Sequence, residues 1–246
     1  MSEARRGVAL VTGVSRRRGI GYTVAGRLVA DGYQVAAAGW RGYDERMRWG
    51  SDPLAPEPDV PFFEVDFEDA AATSGLVPDV NRTVGPVRAL VLCHCESVDS
   101  DIGSTTIESF DRHMAVNARA TWLLIQSLAA QFGDNPGSGR IVSLTSDHTV
   151  GNLPYGASKG AMDRIVIAAA TELAELGITA NVINPGATDT GWMSPEIEQG
   201  VLDANLQPRL GLPTDTANLV SFLCSPEGQW INGQLLHSDG GSRRAR

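Results

Sequence analysis

The sequence lacks the features that mark several large classes of protein. Its 246 residues carry a net charge of −9 and no apolar run long enough to span a bilayer, which argues against nucleic acid or a membrane as a partner. Three cysteines do not make a disulfide framework, and no separate apolar signal segment precedes the first predicted strand. We therefore expect a soluble, cytoplasmic protein.

Apolar strand-like runs and amphipathic helical segments alternate along the whole chain, without internal repeats. This pattern predicts a single domain over residues 1–246. Its fold class is α/β, a doubly wound, Rossmann-type parallel sheet of about seven strands with helices on both faces. A helix is predicted over 69–84, interrupted at Gly75 and Pro78, and one long helix over 106–132. A mobile segment at about 191–212 is predicted to cover the substrate.

A glycine-rich turn follows the first predicted strand and leads directly into a helix. Glycines let the backbone approach a pyrophosphate, and the helix N-terminus offers free N–H groups to it. The order of strand, turn and helix therefore predicts a dinucleotide site. The turn contributes six candidate cofactor-binding residues, Gly13, Ser15, Arg16, Gly19, Ile20 and Gly21.

The end of the second predicted strand bears on the choice of cofactor. Gly39-Trp40-Arg41 stands where an NAD-binding protein usually has an acidic residue for the ribose 2′-hydroxyl. Arg41 and the arginines at 16–18 could bracket a 2′-phosphate, or they could simply be solvated. The pattern favours NADP over NAD, although Asp44 lies close by. Asp66 ends the third predicted strand and is placed to meet the adenine.

Tyr155 and Lys159 are four residues apart and so share one face of a helix predicted over 154–176. A nearby cation lowers the pKa of a phenol and makes it a usable proton donor and acceptor. Ser146 ends the fifth predicted strand, where side chains face the ligand crevice. Asn117 lies among apolar residues and is interpreted as a buried hydrogen-bonding residue or as part of the site.

The stretch Cys93-His94-Cys95 suggests a metal at first sight. Tetrahedral zinc needs further ligands at suitable spacing, and no second Cys/His pair accompanies this one. We expect no metal and interpret the stretch as packing beneath the cofactor.

Together these motifs resemble the short-chain dehydrogenase/reductase superfamily over essentially the whole chain. Within it the sequence is most similar to 3-oxoacyl-(acyl-carrier-protein) reductase-like members, which share the stretch from Asn184 to Met193. The resemblance implies an enzyme that uses NADP or NAD to reduce a ketone or a 3-oxoacyl thioester to the alcohol. It also implies a homodimer or homotetramer.

The resemblance further implies a role for each site residue. Tyr155 would be the proton donor, Lys159 would lower its pKa and bind the nicotinamide ribose, and Ser146 would polarise the carbonyl. Asn117 would hold a water in a proton relay to the lysine. The residues implied to fix the nicotinamide are Pro185, Gly186 and Thr188.

Three features depart from the family's pattern. The glycine turn is two residues longer, Leu92-Cys93-His94-Cys95 replaces Asn-Asn-Ala-Gly, and Ser146 precedes Tyr155 by nine residues where about thirteen is usual. These departures leave Ser143 and Thr145 as alternatives to Ser146. They also keep open a non-catalytic dinucleotide-binding sensor or partner subunit. Enoyl reductases rank lower because those relatives space tyrosine and lysine seven residues apart.

Overall fold

A computed structural model describes residues 6–53, 60–132 and 138–241. Seven parallel strands form one sheet in the order β3-β2-β1-β4-β5-β6-β7. The strands are β1 (Val8–Thr12), β2 (Gln34–Gly39), β3 (Phe62–Glu64), β4 (Val87–Leu92), β5 (Gly139–Leu144), β6 (Ile178–Asn184) and β7 (Leu235–His237). The prediction of a doubly wound, Rossmann-type α/β sheet is confirmed.

Helices pack on both faces of this sheet. They are α1 (Ile20–Ala30), α2 (Arg41–Arg46), α3 (Ala70–Thr83), α4 (Ile107–His113), α5 (Ala120–Phe132), α6 (Leu153–Glu172), α7 (Pro195–Ala204) and α8 (Pro213–Cys224). Successive strand residues point to opposite faces, so Leu10 packs in the layer with α3, α5 and α6 while Val11 packs in the layer with α1 and α8. None of the described helices is long and apolar enough to cross a bilayer.

The predicted interruption of α3 is wrong, because the helix runs continuously through Gly75 and Pro78. A proline inside a helix has no N–H to donate to the carbonyl four residues earlier. That carbonyl belongs to Ser74, and the Ser127 hydroxyl on α5 donates to it at 3.1 Å. A neighbouring helix thus supplies the hydrogen bond that Pro78 cannot make.

The helix predicted over 106–132 is continuous but changes its winding in the middle. Thr106 caps α4 by accepting a hydrogen bond from the Ser109 N–H, and a π-helical segment, Met114–Arg119, joins α4 to α5. Asn117 lies fully buried inside this segment. Its backbone carbonyl accepts a hydrogen bond from the Thr121 hydroxyl at 2.9 Å. Single π turns of this kind occur frequently at functional sites.

Candidate active site

A cavity of about 540 Å³ lies at the carboxyl ends of the central strands. It brings together most of the site residues predicted from the sequence, although Asn117 and Arg41 do not line it. Those that line it are Gly13, Ser15, Arg16, Gly19, Ile20, Gly21, Asp66, Ser146, Tyr155, Lys159, Pro185, Gly186 and Thr188. Trp192, Met193, Ile197 and Val201, from the segment predicted to cover the substrate, also line it.

The glycine turn has the geometry of a phosphate cradle. Gly13 has a φ of +73°, and a Cβ there would lie 2.6 Å from the backbone of Cys93, so only glycine fits. Helix α1 begins at Ile20 with no acidic residue in its first turn and no side chain capping its end at Gly19. Its N–H groups therefore remain available to an anion. The residues present fit a dinucleotide pyrophosphate.

The predicted arginine bracket is mostly engaged with carboxylates. The ion pairs are Arg17–Asp52 at 2.9 Å, Arg18–Asp189 at 2.6 Å and Arg41–Glu64. Arg16 is the member that lines the cavity, where its Nε lies 3.9 Å from Asp44 and its guanidinium lies 4.7 Å over the ring of Trp49. Burial lowers the pKa of Arg16.

Asp44 is a buried member of the site that sequence reasoning noted only as a nearby acid. It is 2% exposed, lines the cavity, and accepts hydrogen bonds from the Ser15 hydroxyl and from the Trp49 indole at 2.9 Å. The cofactor end of the cavity thus carries the Asp44 carboxylate beside Arg16.

Tyr155 projects from the first turn of α6 into the cavity. The nearby Ser146 side chain lowers the pKa of its phenol, but burial has the larger effect and raises the pKa well above the ordinary value. The phenol is therefore protonated at neutral pH. The structure thus brings Ser146 to the tyrosine, whereas the alternative Ser143 lies fully buried in the sheet.

Lys159 is the only lysine in the 246-residue chain. It is 2% exposed, and its Nζ donates to the Leu144 carbonyl at 2.7 Å and lies 5.7 Å from the centroid of the Tyr155 ring. Burial lowers its pKa, while nearby Cys95 and Asp163 raise it. In this geometry the ammonium lies beneath the phenol ring and burial, rather than the cation, dominates the pKa of Tyr155.

Asn117 supports the site from behind the cavity wall. Its Oδ1 accepts a hydrogen bond from the Glu96 N–H at 2.8 Å, and its Nδ2 donates to the Glu96 carbonyl at 2.9 Å. The same Nδ2 donates to the Ser158 hydroxyl at 2.8 Å, which in turn donates to the Tyr155 carbonyl. One amide thus ties the loop after β4 to the helix that carries Tyr155.

His94 is a structural residue that sequence reasoning missed. Its Nε2 lies 3.1 Å from the Val116 carbonyl and its Nδ1 lies 2.7 Å from the Thr12 hydroxyl. The carbonyl can only accept, so Nε2 carries the proton and Nδ1 accepts from the threonine. The ring also stacks on Phe67 at 4.2 Å. His94 thereby links β1, the loop after β4 and the π-helical segment, beside the position of the family's missing asparagines.

The cysteines on either side of His94 line the cavity but have little thiolate character. Burial raises the pKa of Cys93 to about 12 and that of Cys95 to about 11. No group of three or more histidine, cysteine or acidic side chains placed to hold a metal ion occurs in the described ranges.

Comparisons with known proteins agree with this geometry. A family model described as enoyl-(acyl carrier protein) reductase matches residues 13–243. An uncharacterised oxidoreductase of Bacillus subtilis, YjdA, is 33% identical, with 98% of each chain covered. The 3-oxoacyl-[acyl-carrier-protein] reductase MabA of Mycobacterium tuberculosis is 30% identical, with 94% of this chain and 91% of MabA covered.

Two solved structures share the fold. The metagenomic blue fluorescent protein in complex with NADPH is 31% identical with a TM-score of 0.79, covering 96% of this chain and 97% of that one. A dehydrogenase/reductase of Sinorhizobium meliloti is 30% identical with a TM-score of 0.82, covering 97% and 95%. Fold and site define an oxidoreductase of the doubly wound α/β class. The chain belongs to the short-chain dehydrogenase/reductase family.

Proposed function

We propose that this protein reduces a ketone or a 3-oxoacyl thioester to the alcohol, with NADPH or NADH as hydride source and Tyr155 as proton donor. The observation that carries the proposal is the Tyr155 phenol. It lines the cavity beside Ser146, whose side chain lowers the pKa of the phenol, and the Lys159 Nζ lies 5.7 Å from the centroid of its ring. A phenol can donate its proton to a carbonyl oxygen as negative charge develops there, and a cation beside the ring makes the resulting phenolate easier to form.

Four residues of the chain would each have a separate role at the reacting carbonyl. Ser146 would donate a hydrogen bond to the carbonyl oxygen, and Tyr155 would transfer its proton to that oxygen. Lys159 would hold positive charge below the phenol ring and steady the tyrosine as it loses the proton. Asn117 would act as a positioning residue, since its hydrogen bonds reach Glu96 and Ser158.

The cofactor would supply the hydride when bound. The glycine turn would hold its pyrophosphate at the start of α1, Asp66 would face the adenine, and Lys159 would bind the nicotinamide ribose. The residues proposed to fix the nicotinamide line the far side of the cavity and are Pro185, Gly186 and Thr188.

We propose NADP(H) as the preferred cofactor, with Arg16 as the residue that meets the 2′-phosphate. The NADPH complex of a 31% identical structure supports this choice. Asp44, beside Arg16, would oppose the phosphate charge and limit the preference. Replacing Asp44 with Asn should raise the NADPH-to-NADH ratio of kcat/KM, and replacing Arg16 with Gln should lower it. A ratio that neither change moves would refute this assignment.

The names of two relatives support a 3-oxoacyl or 3-hydroxyacyl thioester as the substrate class. One is the 3-oxoacyl-[acyl-carrier-protein] reductase MabA, and the other is a mouse (3R)-3-hydroxyacyl-CoA dehydrogenase that is 30% identical. The four-residue step from Tyr155 to Lys159 supports carbonyl reduction over the enoyl reduction in the family model's description.

The test is oxidation of NADPH and NADH in the presence of simple ketones and an acetoacetyl thioester. Replacing Tyr155 with Phe should reduce turnover by about a hundredfold or more, because the proton donor is lost. Tyr33→Phe is the matched control, since that phenol donates to the Cys224 carbonyl away from the cavity. Tight NADPH binding with no consumption of any substrate would instead favour the non-catalytic sensor or partner subunit.

We also propose a homodimer or homotetramer that acts in the cytoplasm. Large apolar side chains are exposed on the helices beside the site, Trp122 on α5 and Ile167 on α6, which would suit an interface. All three cysteines are free, as a reducing compartment favours. Light scattering should show an oligomer that Trp122→Lys weakens. A wild-type monomer at all concentrations would contradict the proposal.

A further inference from the structure

The substrate end of the cavity is lined by two chemically different sets of residues. One forms an apolar wall and comes from the segment before and within α7. Its members are Trp192, Met193, Ile197 and Val201. A polar set of lining residues comes from the loop after β4 and from the residue that precedes α6. Its members are Ser97, Asp99 and Asn152. A molecule that fills this end therefore meets both hydrocarbon and hydrogen-bonding groups.

Asn152 presents an acceptor that the described protein does not use. Its Nδ2 donates to the Ser97 hydroxyl at 3.0 Å and to the Asp99 carboxylate at 2.8 Å. A carboxylate only accepts, so these bonds fix which end of the amide is nitrogen. The side-chain Oδ1 is buried and has no hydrogen-bond partner in the described part of the chain, although the residue is only 3% exposed. Buried amide oxygens in native proteins nearly always have a donor.

This acceptor is held close to the reacting groups. Asn152 precedes Tyr155 by three residues, and the backbone of Leu153 donates to the Ser100 carbonyl at 2.9 Å. The loop that carries Asp99 is thereby fixed against the start of α6. A substrate whose carbonyl reaches Tyr155 would place its other end near Asn152 and Asp99.

Acidic residues outnumber basic ones around the cavity, and they are Asp44, Asp66, Glu96, Asp99 and Asp147. Its lysine and arginine members within the described ranges are Lys159 and Arg16. Lys159 lies beneath Tyr155, and Arg16 lies at the glycine turn against Asp44 and Trp49. In the polar set at the substrate end, the charged member is the Asp99 carboxylate. A substrate group that is both positive and a hydrogen-bond donor would match Asp99 and satisfy the Asn152 oxygen.

We propose that the substrate is a carbonyl compound with an apolar body and, at its far end, an ammonium group bound by Asp99 and the Oδ1 of Asn152. The apolar body packs on the wall formed by Trp192 and its neighbours. This inference rests on the proposed carbonyl reduction and narrows its substrate class. It favours a free amino ketone over a thioester, whose carrier brings phosphate charge toward Asp99.

The test uses three acetophenones of similar size that differ only at the para position. One carries aminomethyl, one carries ethyl and one carries carboxymethyl, so the far end is cationic, neutral or anionic. Dissociation constants are measured by calorimetry with NADP⁺ present and absent, and kcat/KM is measured with NADPH. We expect the cationic ketone to bind about five- to tenfold more tightly than the neutral one, and the anionic ketone to bind more weakly.

Asp99→Asn should remove the preference for the cation while leaving the neutral ketone's affinity nearly unchanged. Glu108→Gln is the matched control, because it removes one exposed carboxylate on α4 that does not line the cavity. The preference in the parent protein should also weaken at high salt.

Measuring binding and turnover separately distinguishes failure of the proposed ammonium site from failure of the proposed reductase activity. The expected binding order without any turnover would support this inference and refute the reductase proposal. Turnover of all three ketones with equal kcat/KM would support the reductase and overturn this inference. Equal affinities in the parent protein, or a preference that Asp99→Asn leaves intact, would overturn it as well.

Discussion

His94 joins the sheet to the π-helical segment through its Nε2, which lies 3.1 Å from the carbonyl oxygen of Val116. Val116 is adjacent to Asn117, whose side chain fixes the loop and helix around Tyr155. The neutral form of this histidine is favoured, because a charged ring would be buried and would lie near the Lys159 ammonium. Burial, with a contribution from Lys159, accordingly lowers its pKa to about 3.

We predict that this histidine makes the protein sensitive to acid. Between the ordinary pKa of 6.5 and the folded value of about 3, the unfolded chain binds a proton that the folded chain does not. The contribution of neutral His94 to the free energy of unfolding is therefore fully present above pH 6.5. It falls as the pH drops, by up to about 1.4 kcal/mol per pH unit. His113, whose pKa burial also lowers, acts in the same direction.

Urea unfolding of the parent and of His94→Gln at several pH values checks the predicted role of His94 in acid sensitivity. The variant should be less stable at neutral pH but should lose less stability on acidification. His148→Gln is the control for removing an imidazole, since His148 is exposed. If the free energy of unfolding depends on pH equally in the parent and in His94→Gln at acidic pH, His94 is not the source of the acid sensitivity.

The second prediction concerns Lys159, which can be observed alone because the chain has no other lysine. Biosynthetic ¹³C labelling at lysine Cε should give one resonance. Since burial dominates, its titration midpoint should lie below the ordinary lysine pKa of 10.5. The same sample unfolded in urea provides the internal reference. Equal midpoints in the folded and unfolded states would show that the ammonium is fully solvated.

The fold and most of the cavity could be predicted because their signals are local. The strand runs, the glycine turn before α1 and the spacing of Tyr155 and Lys159 each depend on neighbouring residues. The same local reasoning placed Asn117 in a long helix, but the π turn around it depends on contacts with Glu96 and Ser158, which are distant in sequence.

Other features could not be predicted because they result from long-range packing. His94 was interpreted only as a packing residue, because the sequence around it does not indicate that it hydrogen-bonds to Thr12 and Val116. Arg41 was predicted to bind the cofactor, and the sequence did not indicate that Glu64 of strand β3 would pair with it. The pKa of Tyr155 could not be deduced from a Tyr–Lys spacing, because the degree of burial decides it.

The third prediction concerns Asp163, which follows Lys159 by one helical turn. Its Oδ1 is buried without a hydrogen-bond partner in the described residues, and burial raises its pKa. Its charge raises the pKa of both Tyr155 and Lys159. Replacing it with Asn should therefore make the phenolate easier to form.

Alcohol oxidation, which needs the phenolate, is the direction in which this effect is measurable. We expect the pH profile of kcat/KM for oxidation to shift to lower pH in Asp163→Asn, on the order of half a pH unit. Glu172→Gln, at the exposed end of the same helix, should leave the profile in place. A shift toward higher pH would reverse the sign of the proposed coupling.

The last prediction concerns a stack of two tryptophans that joins the apolar wall of the cavity to Arg16 of the glycine turn. Trp49 lies parallel to Trp192 with ring centroids 5.3 Å apart and an interplanar angle of 7°. The Arg16 guanidinium covers the ring of Trp49 and donates to the Thr190 carbonyl at 3.1 Å. The segment that leads into α7 is thus held to the glycine turn and to the region after α2.

We predict that this stack must open before a cofactor held at Arg16 can leave. Stacking and cation–π contacts of this kind contribute about 1–2 kcal/mol, so Trp192→Ala should speed NADPH dissociation by about five- to thirtyfold. Stopped-flow displacement of NADPH measures this rate. Trp230→Ala is the control, since Trp230 is almost fully exposed and does not line the cavity. If Trp49→Ala and Trp192→Ala both release NADPH at the parent's rate, the stack does not hold the cofactor, because each variant removes one of its two rings.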